Sequence, residues 1–189
     1  NSKNHINALD MSKEYGDGDN PITLKSSFVM SLYENLNNGK IDGAANSIVD
    51  RCVKFVYQEY IKNYEGEPPT LRDLRRELLE QEEPLAKQIA LSLELFTEGT
   101  LDVFSHQTNV DMQNRILCFD VLDLGKQLKS IGMLIMLDTI LNRVMENRKK
   151  GKRTWVYIDE IYLFFANEYS SSFLSESWKR FRKYGALAT

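Results

Sequence analysis

Cysteine is scarce in this sequence, and long apolar runs are absent. Only Cys52 and Cys118 occur among 189 residues, too far apart to form a CxxC pair. This excludes a disulfide-stapled framework and leaves no zinc-ligand spacing, so a reducing compartment fits best. The longest uncharged apolar stretch, about residues 130–137, is far shorter than the roughly 18 residues that a membrane span needs. We therefore expect no transmembrane segment in this chain.

A phosphate-binding loop of the form G-x-x-x-x-G-K-[ST] is also missing. The three Gly-Lys pairs are followed by Ile41, Gln127 and Arg153 rather than by Ser or Thr. Such a loop supplies backbone N–H groups and a lysine that cradle phosphates. Either the chain is no nucleotide hydrolase, or the loop precedes Asn1. Because the chain does not start with Met and ends in an apolar run typical of a beginning strand, we expect it to be a piece of a larger protein.

The composition is that of a globular chain, with 42% hydrophobic residues, 27% charged residues and a formal net charge of −3. This predicts one domain, or one domain with a small subdomain. Cations concentrate in residues 124–183, whereas the remainder is rich in acids. This uneven charge is consistent with a surface that binds phosphate or nucleic acid. The simpler alternative is that the cations lie at solvent-exposed helix ends.

Helical periodicity dominates the first half of the chain. Thr70 followed by Asp73 resembles a capping box, and Pro84 suits a first helical turn. The apolar spacing predicts four helices, over Ile22–Leu36, from Asp42 to about Tyr64, from Thr70 to near Glu80, and from Pro84 to Gly99.

The pattern changes after Arg115. Two short apolar runs predict buried strands, and helical spacing fills the intervals that follow them. The predicted order is a strand over Ile116–Val121, a helix from Gly125 to Asn147, a strand over Thr154–Ile158, a helix capped by Ser170–Ser172 and stopped at Gly185, and a beginning strand at Ala186. Alternating strands and helices indicate an α/β fold with a parallel sheet.

Asp159 and Glu160 are the most informative residues. They follow the apolar strand residues Tyr157 and Ile158, and open parallel sheets bind ligands at the carboxyl ends of their strands. In nucleotide hydrolases this is the Walker B pattern, in which Asp159 would accept from water in the Mg²⁺ shell and Glu160 would orient the attacking water. The alternative is a capped strand end without catalytic function.

A second candidate lies near the end of the last helix. Arg182 and Lys183 belong to a basic, aromatic segment that could supply an arginine finger to a neighbouring subunit. The alternative is a basic helix end that complements the helix dipole. His5 and His106 lack triad partners or metal-ligand spacing, and Ser170–Ser172 lacks the G-x-S-x-G elbow of a nucleophile.

The order of these features resembles the traffic ATPases of type IV secretion and conjugation systems, the TraC/TraE class. The resemblance rests on Trp155–Phe164 and Trp178–Gly185, on the strand and turn from Arg115 to Leu124, and on Asn4–Asp10. The last segment is similar to the family's I-N-P-[FL]-D, with Ala8 in place of the proline. The resemblance covers nearly the whole chain.

The resemblance implies a RecA-like P-loop NTPase core with an inserted all-helical subdomain. Residues 1–21 and 99–189 would belong to the α/β core, and residues 22–98 to the inserted subdomain. ATP and Mg²⁺ would be the cofactors, with Asp159 as the metal and cofactor contact, Glu160 as its catalytic partner, and Arg182 and Lys183 reaching a neighbouring subunit's nucleotide.

The resemblance also implies assembly into a ring, often a hexamer, at the inner face of the cytoplasmic membrane. There it works with secretion-channel proteins and powers transfer of DNA or protein. Without a phosphate loop, we expect these 189 residues alone to be inactive.

Two alternatives remain open from the sequence. One is a DNA-pumping translocase of the FtsK or HerA type, which should carry Lys and Arg on a pore-facing loop, whereas the helical segment here is acid-rich. The other is a non-catalytic interaction module, in which Asp159 and Glu160 merely end a strand and the helical segment binds a partner.

Overall fold

Helices make up most of the structure, and a small parallel sheet lies at one side of them. The computed structural model describes residues 4–16, 18–37, 43–99, 102–121, 124–166 and 168–189. Within these ranges the helices are α1 Pro21–Asn37, α2 Gly43–Tyr57, α3 Leu71–Glu80, α4 Pro84–Thr97, α5 Gly125–Lys149 and α6 Glu168–Lys183. The strands are β1 Thr154–Val156 and β2 Ala186–Ala188, and 3₁₀ segments cover Tyr60–Lys62, Asp102–Phe104 and Ile161–Ala166.

Local capping explains where two of the helices begin. The Thr70 hydroxyl accepts from the Asp73 N–H at 3.4 Å, and the Asp73 carboxylate accepts from the Thr70 N–H at 2.8 Å. This reciprocal pair is the predicted capping box, and it satisfies donors that have no partner inside a helix. Pro84 occupies the predicted first turn of α4. Packing against neighbouring helices buries one face of each of these two helices.

The first four helices pack on one another, and α1 also contacts α5 and α6. Their buried side chains follow helical spacing, which is the physical reason that the sequence pattern succeeds here. Representative buried residues are Phe28, Val29, Leu32, Val49, Cys52, Leu74, Leu78, Ile89 and Leu93. Across the described helices, none combines the length and the apolar character that crossing a bilayer requires.

The second helix differs from the prediction at its end. It stops at Tyr57 rather than near Tyr64, and a 3₁₀ turn follows it. Phe55 is 58% exposed, whereas Val53 is fully buried. The predicted cap, Asp42, lies outside the described residues.

The two strands pair in parallel, as predicted. Thr154 is opposite Ala186 and Val156 is opposite Ala188. The connection between them runs through α6, which ends at Lys183 before the turn at Gly185. Gly185 has a φ of 70°, a conformation that glycine adopts without steric cost, so it ends the helix as the sequence predicts.

Two predictions about elements in this half of the chain are wrong. Residues 116–121 are not a strand, because they pair with neither β1 nor β2, and Ile116 is 86% exposed. An apolar run becomes a strand only where a second backbone pairs with it. Ser170–Ser172 lie inside α6, which begins at Glu168, and therefore do not cap it.

Strand β1 is buried on one face rather than two. Val156 and Ala186 face the core, whereas Trp155, 60% exposed, and its neighbour Leu187 lie on the opposite face. Parallel sheets are normally covered on both faces. Among the described residues, nothing buries Trp155 and Leu187.

A buried ion pair connects the N-terminal segment, α1 and α5. The Lys25 ammonium donates to the Asp138 carboxylate at 2.6 Å and to the Asp10 carbonyl at 2.9 Å. The Tyr15 hydroxyl donates to the other Asp138 oxygen at 2.5 Å. Lys25 is completely buried, and its ammonium lies 4.5 Å from the centroid of the Tyr15 ring. These contacts compensate for the cost of removing both charges from water.

We predict that Lys25→Met destabilises the fold, because it leaves the Asp138 carboxylate buried with Tyr15 as a donor but without its cation. Removing one partner of a buried ion pair costs about 3 to 5 kcal/mol. Urea unfolding monitored by circular dichroism measures the loss. The control is Lys54→Met at an exposed position of α2, which should change the unfolding free energy by less than about 0.5 kcal/mol. Equal stabilities of the two variants would contradict the prediction.

The two cysteines should differ in reactivity. Burial raises the pKa of the Cys52 thiol to about 11, whereas Cys118 is exposed within residues 116–121. Thiolates react and thiols do not, so a disulfide reagent such as DTNB should titrate one thiol in the native chain and two in urea. Protection of Cys118 until unfolding would mean that residues 116–121 are covered, as the sequence pattern predicts.

Candidate functional site

Asp159 and Glu160 lie at the carboxyl edge of the parallel sheet. The Thr189 N–H donates to the Val156 carbonyl at 2.9 Å, and the Ile158 N–H donates to the Thr189 carbonyl at 3.0 Å. The ladder therefore continues to Ile158, and the two acids form the turn directly after it, with both side chains exposed. This edge is where open parallel sheets bind ligands.

The turn itself has an unusual backbone. Glu160 has a φ of 53°, in the left-handed region that residues other than glycine rarely adopt. The Asp159 carboxylate accepts from the Glu160 N–H at 2.8 Å, which stabilises the turn. Such conformations occur disproportionately at functional sites. Both acidic residues are exposed at this turn.

Helix α5 supplies a cation to this edge. The Lys129 ammonium lies 3.0 Å from Oε2 of Glu160. Lys129 lies in the second turn of α5, which begins at Gly125, so the positive end of the helix dipole is close to the same carboxylate. Sequence reasoning missed Lys129, since the only signal was a lysine near the start of a predicted helix, 31 residues from Glu160.

Arg182 and Lys183 lie at the opposite edge of the sheet. They end α6 and precede Ala186, the first residue of β2, so they occupy the amino edge. Both side chains are exposed. The Tyr184 ring contacts Lys183 and Arg148 at 5.2 and 5.3 Å from its centroid, which joins the ends of α5 and α6. A single chain therefore does not bring these cations to Asp159 and Glu160.

The donor set at the carboxyl edge suits a metal that needs few protein ligands. Over the described ranges, no three His, Cys, Asp or Glu side chains gather as metal ligands do. One oxygen of Asp159 already accepts from the Glu160 N–H. Mg²⁺ keeps several waters and takes phosphate oxygens, so a single carboxylate fits it as part of a magnesium–nucleotide complex. A depression of about 620 Å³ lined by Arg51 and residues 80–83 contains none of the predicted site residues.

The N-terminal segment that resembles the family motif is buried in the fold. The Asn7 amide donates to the Pro69 carbonyl at 2.9 Å, and its oxygen accepts from the Leu9 N–H at 2.9 Å. The Tyr57 hydroxyl donates to the Leu9 carbonyl, and Thr108 donates to Asp10. These contacts connect the segment to the helices and to the rest of the chain.

The two histidines contact each other, which their spacing did not predict. The rings of His5 and His106 have centroids 4.4 Å apart. His106 Nε2 lies 2.8 Å from the Asp102 carboxylate, which also accepts from Arg72 at 3.0 Å. The contact with His106 lowers the pKa of Asp102. The cluster stabilises the loop that covers the N-terminal segment.

Comparison with solved structures identifies a similar fold. No protein-family model matches the sequence, and no curated protein matches it significantly. The structure of VirB4 from Thermoanaerobacter pseudethanolicus matches with a TM-score of 0.79 and 19% identity, over 97% of this chain and 74% of that chain. At this identity the likeness concerns the fold. The predicted resemblance is thus confirmed at that level, and the chain has the fold of VirB4.

Proposed function

We propose that the chain is part of an ATPase that powers conjugative DNA transfer or type IV secretion. The observation that carries the proposal is the position of Asp159 and Glu160 at the carboxyl edge of a parallel ladder. The likeness to VirB4, a type IV secretion ATPase, supports it over nearly the whole chain. The order of the sequence motifs favours this function over a DNA-pumping translocase or a non-catalytic module.

In this proposal Asp159 and Glu160 are the Walker B pair. Bound Mg²⁺ would neutralise charge on the β- and γ-phosphates of ATP. The Asp159 oxygen that does not contact the Glu160 N–H would accept from a water in the shell of a bound Mg²⁺, and Glu160 would orient the attacking water. Both side chains are exposed at the edge, so nucleotide can reach them.

The proposed enzyme also needs a phosphate loop, and residues 1–189 contain none. With it, residues 1–21 and 99–189 form a RecA-like core, and residues 22–98 form an inserted helical subdomain. Without its backbone N–H groups and lysine, the phosphates lose most of their binding groups. These 189 residues alone are therefore inactive in this proposal, although they retain the two carboxylates.

Arg182 and Lys183 act on the nucleotide of a neighbouring copy. Their location supports this role, because they lie at the amino edge while Asp159 and Glu160 lie at the carboxyl edge. A head-to-tail ring, such as a hexamer, brings the two edges of adjacent copies together. The ring would work at the inner face of the cytoplasmic membrane with other secretion-channel proteins, and move DNA or protein.

We predict that the full-length gene product hydrolyses ATP with Mg²⁺ and that Glu160→Gln reduces turnover at least about 100-fold, because the attacking water loses its carboxylate. Phosphate release measures the rate. Glu67→Gln, at an exposed position between α2 and α3, is the matched control and should retain full activity. ATP turnover by the 189 residues alone, abolished by Glu160→Gln, would contradict the proposed need for a phosphate loop.

The trans arrangement predicts complementation between two inactive variants. Arg182→Ala lacks the finger and Glu160→Gln lacks the carboxylate, so a mixed ring contains some junctions with both groups intact. With random 1:1 mixing, independent junctions should recover about a quarter of the wild-type rate, provided Arg182 acts across the interface. Co-purification of an untagged variant with an affinity-tagged copy of the other verifies that mixed rings form. Mixed rings without recovered turnover would contradict the trans role.

A further inference from the structure

We propose that Lys129 is a positioning residue for Glu160, an inference that rests on the proposed ATPase function. The Lys129 ammonium contacts Oε2 of Glu160 at 3.0 Å and leaves Oε1 for water. Within the described part of the chain, this is the one contact found to orient the Glu160 carboxylate. The Asp159 carboxylate contacts the Glu160 backbone instead.

The Glu160 carboxylate needs a contact from another element to fix its position, because the turn that carries it is exposed. A carboxylate that orients water must be held within a fraction of an ångström of its working position. Glu160 is at the tip of a turn in a left-handed backbone conformation, with 44% of its side chain exposed. Its own surroundings therefore provide little packing to restrict its rotamers.

Lys129 is well placed to supply that support. The residues after it on α5 turn into the core, where Leu134 and Ile135 are buried. Its neighbour Ser130 accepts from Asn35 of α1 at 2.8 Å. A lysine on a packed helix has a fixed backbone, and its side chain is only 25% exposed. Its ammonium can thus restrict the carboxylate without itself belonging to the exposed turn.

The pair should matter for catalysis and not for stability. Exposed ion pairs contribute little to folding, so losing this one should leave the melting temperature nearly unchanged. Misplacing a reacting group by about 1 Å, in contrast, can reduce turnover 100-fold. The two effects separate a positioning residue from a structural one.

The experiment compares three variants of the full-length protein in steady-state ATP hydrolysis. Lys129→Met should lower kcat roughly tenfold while KM for ATP stays within about twofold. Lys129→Arg keeps the cation and should retain at least about half of kcat. Lys87→Met, at an exposed position of α4, is the matched control and should leave kcat unchanged. Lys129→Gln repeats the test should the Met variant fold poorly.

Three outcomes would overturn the inference. A kcat equal to that of Lys87→Met would remove the positioning role, and an increased kcat would mean that the ion pair restrains Glu160. A raised KM at unchanged kcat would make Lys129 a nucleotide ligand. Absence of Mg²⁺-dependent ATP turnover in the wild-type protein would refute the proposed function itself, and wild-type turnover in Glu160→Gln would refute the catalytic role of Glu160. Loss of activity in Glu160→Gln together with normal Lys129→Met kinetics would refute only the positioning role.

Discussion

The buried contact between Lys25 and Asp138 is the interaction on which the arrangement of this chain depends. It joins α1 to α5 and, through the Asp10 carbonyl, connects both to the N-terminal segment. Burial, with Asp138 alongside, raises the pKa of the Tyr15 hydroxyl well above its usual range. Burial also raises the pKa of Asp10, partly offset by Thr108 and Lys25. An unpaired charged or polar group would be costly at this buried position. The paired groups therefore fix one relative orientation of the N-terminal segment, α1 and α5.

This orientation determines what lies at the two edges of the sheet. Helix α5 runs antiparallel to β1, so its first turns lie at the carboxyl edge and its last turn lies at the amino edge. One end brings Lys129 to Glu160, and the other brings Arg148 to the Tyr184 ring next to Lys183. A shift of α5 relative to α1 would displace the cations at both ends. The buried ion pair therefore supports the candidate site without being part of it.

Local signals predicted the parts of the fold that depend on neighbouring residues. The capping box at Thr70, the stop at Gly185 and the acids after β1 each involve residues a few positions apart. Residues 116–121 were wrongly predicted to form a strand, because strand formation depends on a partner backbone, which an apolar pattern does not specify. The contact of Lys129 with Glu160 was missed for a similar reason, since it joins two elements across 31 positions.

The separation of the carboxylates from the basic helix end is a consequence of parallel topology. A helix that connects two parallel strands must return from the carboxyl edge to the amino edge, so residues at its end cannot meet the residues that follow the first strand. Arg182 follows this rule relative to Asp159. If both groups serve one nucleotide, the nucleotide must lie between two copies. Head-to-tail association would then be a requirement of the chemistry and not only a means of assembling a channel, because each copy would lack one half of every site.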